Sequence, residues 1–501
     1  MKAARCDSAS CPKRMHRSRW RFHALVALLA LALTGPAAAT LDVSAIEPWA
    51  DDYFNRALAA GQINGASIGV VQHGNTVFLK GYGYEDQARG IAVDTAATRF
   101  RMCSISKTVT ATAIMQLIER GEIASLDDPV NRYLTRYQLA PPGDTVTLRM
   151  LMTHSSGMAG HLTPQGTKLD LPVPVTAEAV RAMFLEDIER PPGVIGQYAN
   201  LGVALESVLI EDVTGMSFAD YVATNVLEPL GMTSAEMHHR PEPPPRLAVP
   251  YGRFPDVSLQ AVPFYPKHPL TAASGGLMAT PADMLRYASM HASGNASVLT
   301  DTSRREMERR QFGQHPMDSG IGLHWYPERY GDVNLVSHGC GLPGTRSWLG
   351  VVPDQGLGIV ITVLDGAAVP GVGDLLDRLL GQGKLVALST PSTDRVEGPP
   401  QRVLLETLAG ALVRPAPTEA AEATEAAVDD PQQLTGSYWT ERRSLTSFAT
   451  SFAADSVLQV RAAGNTVEMS GRTYEHVAPG VYDSEDGRRL IFRRISEAGP
   501  V

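Results

Sequence analysis

Ser104-Ile105-Ser106-Lys107 opens a stretch with helical patterning, and residues three apart on a helix share a face with Cβ atoms about 5–6 Å apart. The Ser104 hydroxyl and the Lys107 amine can therefore meet. Serine is a poor nucleophile until a base takes its proton, and lysine serves as that base where burial or a neighbouring charge keeps it partly neutral. The start of a helix adds free N–H groups and a positive dipole end where an oxyanion would form. S-x-x-K alone is a weak signal, because an N-cap serine with a solvated lysine gives the same spacing. Two further segments carry suitable groups. Tyr198-Ala199-Asn200 follows Pro191-Pro192-Gly193 and leads into the helical run LGVALESVLIEDV, which sets a phenol and a carboxamide at the edge of a helical region. His338-Gly339-Cys340-Gly341 stands at the end of a strand pattern, Val333 to Ser337.

The elements that must hold these groups are legible from periodicity. Residues 42–60 space their apolar side chains at helical intervals up to Gly61, which predicts a helix. Ala66–Val71 and Thr76–Lys80 are β-rich runs flanking His73-Gly74-Asn75, which predicts a hairpin. A helix is expected from Ser104 to Arg120, and helical segments with Pro/Gly-rich connections fill much of 126–300. Strand patterns return at Val333–Ser337, Arg346–Val352 and Leu357–Leu364, with the turn Pro353-Asp354-Gln355-Gly356 between the last two, and an amphipathic helix is expected over Val372–Leu380. Strands at both ends and helices in the middle describe an α+β arrangement of two lobes, with the site in the cleft between them.

The 501 residues are 44% hydrophobic, enough for a large core in one big domain plus something smaller. A net charge of -9, with no cluster of Lys and Arg in the body, excludes a nucleic-acid binder. Basic residues concentrate at Lys13 to Arg21, ahead of the apolar run Ala24–Leu33 and Pro36-Ala37-Ala38-Ala39. That order reads as a signal peptide over 1–39, cleaved near Ala39, with Met15 as a more usual start. Export to the periplasm or beyond follows. The apolar run is too short to cross a bilayer and no later segment reaches the required length, so no membrane span is expected. Removal of the signal leaves Cys103 and Cys340, which are no disulfide framework. Residues 414–431 are rich in Ala, Glu and Pro without an apolar period and read as a linker. From Leu434 onward short strands and turns suggest a small β-barrel-like domain.

In order and spacing, the three chemistry-bearing segments resemble the class C β-lactamase-related family, which includes D-alanyl-D-alanine carboxypeptidases, D-aminopeptidases, esterases and acyltransferases. The resemblance covers roughly residues 45–385. Gly81-Tyr82-Gly83-Tyr84, Leu151-Met152-Thr153-His154-Ser155-Ser156-Gly157, Gly275-Gly276-Leu277 and Gly341-Leu342-Pro343-Gly344 agree with it. It implies an antiparallel sheet flanked by helices with an inserted helical lobe, as in penicillin-binding proteins. The domains become a signal peptide (1–39), a serine hydrolase domain (40–390), a linker (391–433) and a small β domain (434–501). The resemblance further implies that Ser104 attacks the acyl carbon, that Lys107 and Tyr198 share the general-base work, and that Asn200 binds the substrate amide. The N–H groups of Ser104 and Gly341 would form the oxyanion hole. His338-Gly339-Cys340 stands where β-lactamases of this type have Lys-Thr-Gly, so a fixed cation and a hydroxyl for a substrate carboxylate are missing. The expected substrate is thus a D-residue peptide or small ester, against two alternatives: a penicillin- or peptide-binding protein with little turnover, or a true β-lactamase. No metal or nucleotide cofactor is implied. Because Cys103 precedes the nucleophile and Cys340 precedes Gly341, the two should be neighbours, either bridged or as buried thiols in contact.

Three features imitate other sites. Gly65-Ala66-Ser67-Ile68-Gly69 matches a nucleophile elbow in letters, but that motif needs strand, tight turn and helix, whereas Ser67 lies in a strand running into a hairpin. His154 invites a triad role and is read instead as a histidine hydrogen-bonded in a packed turn. His238 and His239 are read as solvated, since no H-E-x-x-H spacing occurs.

Overall fold

The computed structural model describes residues 46–365, interrupted at 159–174, 185–187, 189, 253–259, 263, 265–267, 314–318, 331–332 and 343, together with strands between 436 and 491. The expected signal peptide, the helix at 372–380 and the linker at 391–433 lie outside the described residues. Among the described residues no helix is long and apolar enough to cross a membrane.

The first helix, α1 (Ile46–Ala59), leads into β1 (Ile63–Gln72) and β2 (Asn75–Asp86), the expected hairpin. Its turn puts His73 and Gly74 at φ 47° and 81°, and two successive left-handed residues match the twist of the flanking strands. β3 (Ile91–Ala92) completes the first half of the sheet. The second half is β4 (Tyr326–Tyr330), β5 (Val333–Leu342), β6 (Thr345–Val352) and β7 (Leu357–Asp365). The order is β3-β2-β1-β7-β6-β5-β4, antiparallel throughout, so β1 and β7, from opposite ends of this segment, meet in the sheet's centre. β1 is buried at nine of its ten positions, which explains why its sequence runs apolar rather than alternating.

Between the two halves of the sheet come α2 (Ser106–Glu119), α3 (Leu148–Met152), α4 (Asn200–Thr214), α5 (Pro269–Gly275), α6 (Pro281–Ser293) and α7 (Asp301–Glu308), with further short helices and turns. α2 is buried continuously from Ser106 to Leu117, as expected of a helix apolar on most faces. Its threonines return their hydroxyls to the helix: Thr108 donates to Ile105 O at 2.8 Å, Thr110 to Ser106 O at 3.1 Å and Thr112 to Thr108 O at 3.0 Å. A β-branched polar residue is thereby tolerated in a core helix. α4 ends where Gly215 turns left-handed at φ 70°, the usual C-terminal stop. α6 starts from Thr280, whose hydroxyl accepts from Asp283 N–H, with Pro281 in the first turn,. It packs closely on β1 because Gly69 has no side chain: a Cβ there would lie 2.8 Å from Leu285. The buried apolar side chains of α2, α4, α6 and the central strands form one core.

Beyond residue 435 the described strands, Gly436–Trp439, Val457–Ala463, Thr466–Met469, Arg472–Ala478, Val481–Asp483 and Arg489–Ile491, pair in chain order as a six-stranded antiparallel sheet.

Candidate active site

The helical period from Ser104 predicts an α-helix beginning at that serine, whereas the structure has a 3₁₀ turn, Cys103–Ile105, ahead of α2. Cys103 adopts a left-handed φ of 43°, and Ser106 fastens the tighter entry from its side chain. Its hydroxyl donates to Cys103 O at 2.5 Å and accepts from Leu277 N–H at 2.9 Å. Met102 N–H donates to Leu277 O at 2.8 Å, which ties the same turn to the segment after α5. Ser104 is left half-buried among residues that are otherwise buried.

Lys107 is fully buried, and its Nζ lies 3.1 Å from Ser104 Oγ and 2.6 Å from Ser274 O. The serine–lysine contact expected from the i, i+3 spacing is therefore made, and the solvated-lysine alternative is not. Ser274 is a partner that sequence reasoning misses. It acts through a main-chain carbonyl, which every residue possesses, so only its place just before Gly275-Gly276-Leu277 could have pointed to it. Tyr198 is half-buried, and its ring centroid lies 4.9 Å from Lys107 Nζ. Asn200, also half-buried, is the first residue of α4.

His338, Cys340 and Gly341 all lie inside β5, not beyond its end. The strand pattern stops at Ser337, but β6 supplies a partner for each residue beyond it: His338 pairs with Leu349, Gly339 with Trp348, Cys340 with Ser347 and Gly341 with Arg346. Ladder hydrogen bonds override the weak β propensity of Gly. His338 is buried, with Nδ1 2.8 Å from Gly339 O and its ring 5.4 Å from that of Tyr326. A carbonyl only accepts, so Nδ1 carries the proton in this contact. Gly341 is exposed. Cys103 and Cys340 form a disulfide with Cα atoms 5.2 Å apart. Their backbones are neighbours, as expected, and of the two alternatives the bridge is the one present.

The imitations resolve simply. Ser67 is fully buried in β1 and shares a hydrogen bond of 2.6 Å with Thr362 Oγ1, so it has no elbow. His238 is exposed and reaches Asp220 at 3.2 Å. His154 is buried at the turn after α3, where its Nδ1 accepts from Ala199 N–H at 3.3 Å. The packed-turn reading of His154 is the one the geometry supports.

Two buried polar groups back these residues. Glu206 and His324 are both fully buried, with Nε2 3.0 Å from each carboxylate oxygen. On α6, the Tyr287 hydroxyl meets Thr108 and Thr112 of α2 at 3.1 Å each, and His291 bridges Tyr287 at 3.1 Å to Glu308 at 3.0 Å. Burial pushes the Tyr287 phenol up and the His291 imidazole down, so both stay neutral near pH 7. The helix bearing Ser104's partner is thus anchored by uncharged hydrogen bonds.

The chain resembles proteins of known type. It is 31% identical over 220 residues to a putative penicillin-binding protein, PbpX, of Bacillus subtilis strain 168; the match takes in 44% of this chain and 52% of that protein, about half its length. It is 28% identical over 366 residues to penicillin-binding protein 4 of Amycolatopsis lactamdurans, covering 70% and 93%. Its fold matches the D-amino acid amidase of Ochrobactrum anthropi SV3 with a TM-score of 0.56 at 21% identity, over 67% of this chain and 98% of the amidase. Residues 50–374 match the Beta-lactamase family; since that stretch takes in the whole seven-stranded sheet and the helix that carries Lys107, the chain belongs to the beta-lactamase family.

Proposed function

We propose that this protein is an exported serine hydrolase that forms an acyl-enzyme at Ser104 and acts on an amide or ester, a D-residue peptide or small ester in preference to a β-lactam. The observation that carries this reading is the 3.1 Å contact of Ser104 Oγ with Lys107 Nζ, a fully buried amine that also lies over the Tyr198 ring. Family members are serine hydrolases that work through an acyl-enzyme. Lys107 and Tyr198 take the Ser104 proton as the hydroxyl attacks the acyl carbon, and the same groups return it to the leaving group. The tetrahedral oxygen then draws on the N–H groups of Ser104 and Gly341, where loss of one donor typically costs about 3–4 kcal/mol of barrier. The disulfide supports that pairing, because it joins the residues immediately before those two donors. Asn200 holds the substrate amide. Water releases the acyl group in the second half of the reaction.

The preference against β-lactams rests on His338 and Gly339. A fixed cation and a hydroxyl bonded to a buried carboxylate are each worth about 1.5–3 kcal/mol. His338 instead spends its Nδ1 proton on Gly339 O. A panel of D-amino acid amides and D-residue peptides, p-nitrophenyl esters and a chromogenic cephalosporin tests this. The esters or D-amides are expected to give the highest kcat/KM, and a cephalosporin value well above both would overturn the preference. A burst with each acyl substrate and no turnover would make the chain a penicillin-binding protein.

The signal peptide over 1–39 and cleavage near Ala39 belong to the same reading, supported by a disulfide of the kind that persists in oxidising compartments. So does the division into a hydrolase domain (40–390), a linker (391–433) and a barrel-like β domain (434–501). Ser104, Lys107, Tyr198, Asn200, His338 and Gly341 all lie upstream of the linker. A chain ending near Leu388 is expected to keep its turnover of a small ester, and complete loss of activity in a folded truncation would refute the separation.

A further inference from the structure

The turn after α3 and the segment before α4 are fastened to each other at His154, through both its backbone and its side chain. Gln197 N–H donates to His154 O at 2.7 Å, and Ala199 N–H donates to His154 Nδ1 at 3.3 Å. These two donors flank Tyr198 in the chain. The His154 ring itself lies against the phenol, with centroids 4.4 Å apart. A single residue therefore contacts the backbone on both sides of Tyr198 and its ring. To do so it holds a left-handed φ of 55° while buried, a conformation uncommon for any residue with a Cβ.

His154 is in turn backed by His324, whose ring is 5.0 Å away. His324 shares the left-handed conformation, with φ 58°. Its N–H donates to Met152 O at 2.9 Å, and its Nε2 meets both oxygens of Glu206. Glu206 lies on α4, the helix that Tyr198 precedes. The contacts close a ring: Tyr198, His154, His324, Glu206 and back along α4. Because Nδ1 accepts from a backbone N–H, His154 is in its neutral form in this arrangement.

We propose that His154, held by the His324–Glu206 pair, is the positioning residue that fixes the Tyr198 phenol for proton transfer with Ser104 and Lys107. The inference rests on the reading of Tyr198 as part of the general base. It assigns His154 no contact with the reacting atoms. It explains why a histidine is needed at this turn: Nδ1 satisfies the Ala199 N–H, and the flat ring limits where the phenol can lie. A displacement of about 1 Å in such a group costs on the order of 10²-fold in rate.

The test is a double-mutant cycle of His154→Leu and Tyr198→Phe on the full chain, read as the second-order rate of labelling by a fluorophosphonate probe. His154→Leu is expected to slow labelling about 10²-fold with Tyr198 present, but only about twofold in the Tyr198→Phe background, since residues acting through one another are not additive. His154→Asn places an amide oxygen near the position of Nδ1 and tolerates a left-handed backbone, so it should recover most of the lost rate. Should His154→Leu fail to fold, His154→Phe, which keeps the ring and loses the acceptor, takes its place in the cycle. Equal losses in both backgrounds, or no loss at all, overturn the positioning role. A Tyr198→Phe protein that labels at the normal rate overturns the base reading, and this inference falls with it; an additive cycle overturns the positioning alone.

Discussion

Ser104→Ala is expected to abolish covalent labelling by a fluorophosphonate probe or a labelled penicillin, and to lower turnover of any accepted ester by at least about 10⁴-fold. The substitution removes one oxygen from a half-buried position and leaves the surrounding fastenings in place. The 3₁₀ turn is held by Ser106 and by Met102, not by the Ser104 hydroxyl. Melting temperature should therefore change little. Labelling of the Ser104→Ala protein at the normal rate would refute the assignment. A label found on Ser67 would be more surprising still, since that hydroxyl is fully buried and bonded to Thr362.

Lys107 and Tyr198 carry the second large effect. A positioned base is worth about 10²–10⁴-fold, roughly 3–5 kcal/mol of barrier, and these two groups share that work in the proposed reaction. Lys107→Met keeps most of the aliphatic stem in the core but removes the donor facing Ser104 Oγ and Ser274 O. Tyr198→Phe keeps the ring beside Lys107 and His154 and removes only the hydroxyl. Each is expected to cost on the order of 10³-fold in the acylation rate, measured in single-turnover experiments. The two variants should differ in stability, because Lys107→Met leaves the Ser274 carbonyl buried without its lysine donor, at about 1–3 kcal/mol. A lysine variant that acylates within about threefold of the normal rate falls far below the usual worth of a base and would remove it from the reaction.

The parts of the site that could be read in the sequence are those that depend on local spacing. Ser104 and Lys107 are i, i+3 neighbours, and their contact needs nothing beyond one turn of helix. The hairpin at His73-Gly74 and the helix stop at Gly61 are likewise written in single residues that accept a left-handed backbone. What was not legible depends on partners far along the chain. The glycine-rich His338–Gly341 reads in isolation as the end of a strand and continues it only because β6 offers a register partner for every residue. Ser274 supplies a carbonyl with no side-chain signature. His154, Tyr198 and His324 are separated by 44 and 126 positions in the sequence, and nothing local announces that their rings meet. Even Glu206, which sits in an apolar helical run, gains its meaning only from His324.

The Cys103–Cys340 bridge spans 237 positions, and Lys107, Tyr198, Asn200 and His338 all fall inside the loop that it closes, with Ser104 at its first residue. The helical region and most of the proposed reacting groups thus belong to a covalent ring. A protease that cuts once inside that ring opens it without separating the pieces: the fragment bearing Ser104 stays tied to the strand bearing His338. Dissociation then requires a cut and a reductant together, so in an oxidising medium a nicked molecule remains one molecule.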